Sequence, residues 1–433
     1  MRKATDFIRL LLACFLILPV NAIGQETDDY YQKGFTRYEN FIYKDNIKTV
    51  RFERDGLEMT DPVIELNSGQ RLILSFDDLD GDLKNYSYTL IHCDAEWRPS
   101  NLIENEYLDG FFEERLYDYK QSFNTIQSYT HYTVAVPGRD VRPTISGNYL
   151  LKLYEEGYPD EPVITRRMLI FEQLAGIDGV VKRATLATDR DTRHEIDFSI
   201  FHPSLPVTNA FSEIKVVLMQ NGRWDNAITD LKPLFLKDRE LQYDYEEGNT
   251  FVAGNEFRTF DIRTIRMQTQ WVDEIVRGPN GFTVVLLPER SRATNKYAIE
   301  NDINGKFLIR YQEGRDSDLE GEYVHVKFTL RHPVSPRGNF YVFGGLTDWN
   351  VTNENKMTYN YDEEAYELLL YLKQGYYDYQ YVFIEDGKDV LDETVIEGSH
   401  FETRNEYFIL VYFRQVGARF DRLVGFSRLK SRI

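Results

Sequence analysis

Cysteine is almost absent: Cys14 and Cys93 are the only two in 433 residues. Cys14 lies in an apolar run, Leu10 to Val20, that follows Arg2, Lys3 and Arg9 and precedes the small residues Ala22 and Gly24. This order of charge, apolar stretch and small residues predicts a secretory leader over residues 1–24, cleaved before Gln25. Leu11-Leu12-Ala13-Cys14 faintly resembles a lipoprotein box, but the apolar run continues through Phe15-Leu16-Ile17-Leu18, which argues against lipidation. A mature chain holding Cys93 alone cannot close an internal disulfide, so its stability has to come from burial.

Long apolar runs are also missing. Beyond the leader nothing approaches the ~18 uninterrupted apolar residues of a spanning helix, so no membrane span is expected and the mature chain should be soluble outside the cytoplasm. Positive charge is short as well. A formal net charge of −19 repels phosphate backbones and argues against nucleic-acid partners. Catalytic signatures are absent: there is no G-x-S-x-G, H-E-x-x-H, C-x-x-C or P-loop, and the seven histidines are dispersed. Neither an enzyme nor a cofactor is expected.

What is abundant is period-two alternation. Leu72, Leu74 and Phe76 alternate, as do Tyr132, Val134 and Val136, and Tyr377, Tyr379, Tyr381 and Phe383. Such runs of aromatic and branched residues predict half-buried strands. Asn221-Gly222, Asn280-Gly281 and Asp386-Gly387 are dipeptides that tight turns favour. One short helix is expected near 105–112. The reading is an all-β chain of three consecutive β-sandwich domains of the immunoglobulin-like or early-set-like kind. Their expected limits are residues 25–173, 174–325 and 326–433, with Leu174 to Gly179 as a linker.

Three constellations invite a chemical reading. His92-Cys93-Asp94 holds the residue types of a nucleophilic triad, but neighbours on a strand point to opposite faces, which favours structural roles. Asp77 to Asp82 is acidic enough to suggest a calcium loop, yet Gly81 comes too early and no Glu closes it. An acidic turn is the plainer reading, with a bound cation as its alternative. The C-terminal tail carries Arg414, Arg419, Arg422, Arg428, Lys430 and Arg432 beside Phe420 and Phe426. These eight side chains are expected to form a contact arm for another protein, against the plainer reading of a solvated end.

Two resemblances add to this. Tyr341-Val342-Phe343, Gly344-Gly345, Asp348-Trp349-Asn350, Met357 and Asp386-Gly387 together are similar to the isoamylase- and AMP-kinase-type carbohydrate-binding modules. That likeness speaks to fold, with Trp349 as a core anchor. Tyr359, Tyr361 and Tyr376 would be the aromatics free to stack on sugar if the chain were instead a periplasmic or surface polysaccharide-binding protein. The second resemblance is longer. YKDNIKTVRF (43–52), PVIEL (62–66), LSFDDL (74–79), YTLIHCDAEW (88–97), EYLDGF (106–111), SFNT (122–125), YTHY (129–132) and SGNY (146–149) follow in order, and Asn255-Glu256-Phe257-Arg258 also fits. Together they resemble the plug protein of the type IX secretion system. The resemblance implies a non-enzymatic periplasmic protein at the inner face of the outer membrane. Its partner would be the giant outer-membrane β-barrel translocon, whose channel it closes when no cargo is present. It implies no cofactor and a free protein that is monomeric.

Overall fold

The computed structural model describes residues 35–335 and 337–431. The leader expected over residues 1–24 and Arg432 lie outside the described residues. The described chain is all-β, built from mainly antiparallel sheets packed face to face, with a few parallel pairs and helices of a single turn. Where a helix is expected near 105–112, one turn over Glu104–Tyr107 gives way to the strand Leu108–Gly110.

In the first unit a six-stranded sheet runs in the order Phe41–Ile42, Pro162–Phe171, Gly147–Glu155, Tyr86–Cys93, Glu114–Arg115, with Val63–Glu65 beside Pro162–Phe171. Facing it is a four-stranded sheet ordered Ile47–Arg54, Leu72–Asp78, Thr130–Val136, Asp118–Gln121. The alternating Leu72, Leu74 and Phe76 point inward with Tyr132 and meet Tyr88, Leu90, Tyr149 and Leu151 of the larger sheet.

The other face of the larger sheet is not solvated. Cys93, Leu150 and Leu169 pack on Val217, Met219, Phe408, Leu410, Tyr412 and Leu423. Those residues belong to a three-stranded sheet of Ile214–Gln220, Glu406–Phe413 and Arg422–Lys430. On its far side Val216, Leu218, Ile409 and Val411 meet Ile196, Phe198, Ile200 and Leu241 of a five-stranded sheet. Four sheets are thus stacked with three apolar layers between them. The two inner sheets are covered on both faces, which explains the near-continuous apolar runs in GNYLLKLYE and EYFILVYF.

This stack corrects two expected boundaries. The middle unit does not end near residue 325. Its strand Ile214–Gln220 pairs along its length with Glu406–Phe413, so the last strands of the chain complete it. Residues 326–433 are not one domain either. Arg258–Asp261 and Phe307–Ile309 pair with Gly375–Glu385, and Gly281–Leu286 pairs with Tyr323–Arg331. Residues 258–396 therefore share one core, inserted between the two parts of the middle unit. Strand partners far apart in sequence leave no local signal of composition or turn chemistry, so boundaries read along the chain miss them. The expected linker at 174–179 is also partly sheet: Gly176–Arg183 is a strand, and the amides of Leu174 and Ala175 donate to the Val424 carbonyl.

Candidate docking surface and the seam between units

The described part of the basic tail leads into the edge strand Arg422–Lys430 of the three-stranded sheet, and the charges described there meet partners within the chain. Arg414 donates to Asp421 at 2.7 Å. Arg419 pairs with Glu106 of the first unit. Arg422 pairs with Glu172 at 2.9 Å, Arg428 with Asp61 at 2.8 Å and Lys430 with Glu406 at 3.0 Å. Phe426 packs between Phe171 and Phe408, and Phe420 sits edge-on to His92. Of the described residues of this expected arm, Arg419, Phe420, Arg422, Phe426 and Arg428 thus touch the first unit, while Arg414 and Lys430 pair with acids of their own unit.

The inserted unit is tied to the first by a buried polar cluster. Asp77 and Lys373 are both fully buried, with Nζ 2.6 Å from Oδ2. Tyr323 donates its hydroxyl to the same oxygen at 2.7 Å, and His131 Nδ1 lies 2.6 Å from Oδ1. Burial alone would raise the Asp77 carboxyl, but the Lys373 ammonium and the His131 contact outweigh it and hold the group at about 2. Around this cluster Arg51 pairs with Asp318 at 2.5 Å, Arg166 with Asp348 at 2.9 Å, and Glu322 accepts from the Ile126 and Gln127 amides. Asp61 joins all three units, binding Lys306 of the inserted unit at 2.9 Å as well as Arg428. None of these residues has a sequence signature, since isolated acids and bases become partners only through the fold.

His92 and Cys93 do face opposite ways. The imidazole lies among Tyr107 and Tyr149, where burial lowers it to about 4. The thiol lies in the apolar layer between units, where burial, with the Asp94 charge, pushes it up to about 12. Asp94 accepts from the Glu96 and Arg98 amides of the next turn. This arrangement holds no activated thiolate. The acidic turn at 77–82 encloses a cation supplied by the chain. Lys84 Nζ lies 2.9 Å from Asp78 and 3.7 Å from Asp82, and it also pairs with Asp80.

Trp349 does not sit in the middle of a sandwich. It is half-buried over Gly305, edge-on to Phe257 and Phe343, with the Arg223 guanidinium of the middle unit 5.0 Å from its ring. Gly305 has φ 76°, and a Cβ there would come within 2.3 Å of the indole. Of the expected sugar-stacking tyrosines, Tyr361 is exposed, Tyr359 packs on Tyr366, and Tyr376 lies partly covered beneath Arg263.

Uncovered apolar surface gathers elsewhere. Glu114–Arg115 ends one sheet of the first unit and Asp118–Gln121 ends the other, each paired on one side only. The chain crosses this open side of the sandwich between them. Tyr117 on the crossing is 77 % exposed, Phe111 is 68 % exposed, and Phe112, Tyr119 and Phe123 are exposed nearby. Aromatics on an open strand edge are what a protein partner can cover, through side-chain burial and added backbone pairing. EYLDGF and SFNT contain Phe111 and Phe123, but the sequence does not say that these side chains point outward.

Residues 47–172, which make up nearly all of this first unit, match the family described as Type 9 secretion system plug protein 1st domain. The chain belongs to the type 9 secretion system plug family. Over 92 % of its length it is also similar to the crystal structure of a hypothetical protein from Parabacteroides merdae ATCC 43184, covering 100 % of that chain at 31 % identity with a TM-score of 0.89. No curated protein matches. The plug family is not a family of enzymes, and its members have a role in type IX secretion. Among the described residues no helix is long and apolar enough to cross a membrane.

Proposed function

We propose that the protein is a non-enzymatic periplasmic plug, which docks on the periplasmic mouth of the type IX translocon barrel and seals its channel when no cargo is present. The observation that carries this reading is the plug-domain match over 47–172, on a unit whose open edge presents Phe111, Tyr117 and neighbouring aromatics. The four-sheet stack and the buried seam suit a stopper, because a seal under load must not deform. The docking face in this reading is the first unit's edge rather than the basic tail, whose charges are engaged at home. Release on arrival of cargo requires an interface of moderate size whose free energy the cargo can offset.

An affinity pull-down of the tagged protein from detergent-solubilised outer membranes tests the reading. One very large barrel protein should co-purify in near-equal amount. Recovery of the protein without any barrel partner, from cells that assemble the translocon, would refute it.

A further inference from the structure

We propose that the edge strand Asp118–Gln121 receives an extended strand of the translocon barrel, so that a sheet of the first unit continues into its partner through backbone hydrogen bonds. The inference rests on the plug reading and names the form of contact that the docking edge makes. Hydrogen bonds along an antiparallel strand point alternately to its two sides. Asp118–Gln121 pairs with Thr130–Val136 in unbroken register, and the Ser122 amide continues that ladder by donating to the Tyr129 carbonyl at 2.9 Å. Ser122, Lys120 and Asp118 therefore turn their backbone groups towards the sheet, while Tyr119, Gln121 and Phe123 turn theirs away. Phe123 shows the outward direction, because its amide donates to the Leu319 carbonyl of the inserted unit at 2.8 Å. That contact closes one end of the edge.

Tyr119 and Gln121 remain open. Among the described residues no strand lies beside them, and no hydrogen bond meets their outward amides or carbonyls. The whole strand is exposed, and it has neither the proline nor the bulge that commonly guards an edge. The register also fixes which side chains an incoming strand would meet. Tyr119 stands in line with Tyr132 and Phe76, on the side of the first unit's core. Lys120 stands in line with His131 and Asp77, on the side of the seam. Residues laid opposite Tyr119 and Gln121 would enter the open side of the sandwich beside Tyr117, where apolar side chains gain most. The residue between them meets Lys120, which favours an acid.

An alternation of backbone donors and acceptors, with apolar side chains to one face and an acid to the other, belongs to a polypeptide strand. A second copy of this chain is disfavoured as the occupant, since each copy brings a net charge of −19. Tyr119 and Gln121 together offer two amides and two carbonyls. So short a ladder suits a contact that arriving cargo can displace.

The test uses the full mature protein and the barrel it recovers from detergent-solubilised outer membranes. Gln121→Pro removes an outward amide and no bond of the existing ladder, so its thermal midpoint should stay within about 2 °C. Its recovery of the barrel should fall roughly tenfold or more below that of Gln121→Ala, which keeps the amide. In the complex of the unaltered protein, two amides within residues 117–122 should exchange roughly tenfold or more slowly than in the free protein. Equal recovery by Gln121→Pro and Gln121→Ala, or unchanged exchange in that segment, overturns strand addition and leaves the plug reading standing. Failure of the unaltered protein to recover any barrel refutes the plug reading and this inference with it. Should Gln121→Pro not fold, the exchange measurement decides alone. A dimer of the unaltered protein that Gln121→Pro dissolves would assign the edge to a second copy and overturn the proposal as well.

Discussion

Lys373 and Asp77 show how much a single buried pair commits. Replacing Lys373 by Met would leave the Asp77 carboxylate in the interior with hydrogen bonds but no paired cation, and we expect a loss of about 3–5 kcal/mol in urea denaturation. Pairing Lys373→Met with Asp77→Asn should restore most of it, since removing both charges also removes the desolvation cost. The pH dependence has a definite sign. A carboxylate held at about 2 when folded, against 3.8 ordinarily, contributes its stability above pH 4 and loses it as the pH falls towards 2. Acid unfolding of the unaltered protein should steepen in that window, and the double variant should lack this component. Cys93 makes a third residue-level expectation. Its buried thiol should resist a disulfide reagent in the native protein and react promptly in denaturant; prompt native labelling would mean that the layer between the units opens.

At the scale of the element, the strands Glu406–Phe413 and Arg422–Lys430 decide whether the middle unit exists. Truncation after Thr403 removes both and strips one covering sheet from two apolar layers. The expected product has an inserted unit with its own core and an unfolded middle unit, seen as loss of protection in amide exchange over 176–252. On the docking edge, Phe111→Asp with Tyr117→Asp should leave the thermal midpoint within about 2 °C, since neither side chain is buried, yet abolish recovery of the barrel partner. The individual strands were legible because their alternation is local: Leu72, Leu74 and Phe76 turn inward as their spacing requires. A hairpin does form at Asn280-Gly281, but its turn residues are Pro279 and Asn280, with Gly281 already paired to Gly278. The plug-family domain was legible because eight ordered blocks lie within it. The discontinuous middle unit was not, since Ile214–Gln220 finds its partner across a whole inserted domain. The aromatics of the docking edge look like core residues in sequence, and burial decides between the two. The contacts of the basic tail within the chain were hidden for a related reason. A run of arginines shows charge, while three of the acids that meet it, Asp61, Glu106 and Glu172, sit in another unit.

At the scale of the whole molecule, three units are joined through Asp61, the Asp77 cluster and the stacked sheets, and they should behave as one body. Limited proteolysis should therefore spare the junctions near 173 and 255 and cut at exposed turns first, and early cleavage at either junction would show that the units move independently. The interleaving of the middle unit also carries a consequence for biogenesis. A ribosome makes the chain from its N-terminus, so Val216, Leu218 and their neighbours emerge with no strand to receive them. The inserted unit can fold on schedule, but the sheet it interrupts stays half-made until the final strands are released. For that interval the nascent protein carries a bare apolar sheet face, and chaperone dependence should be concentrated in that stretch of synthesis.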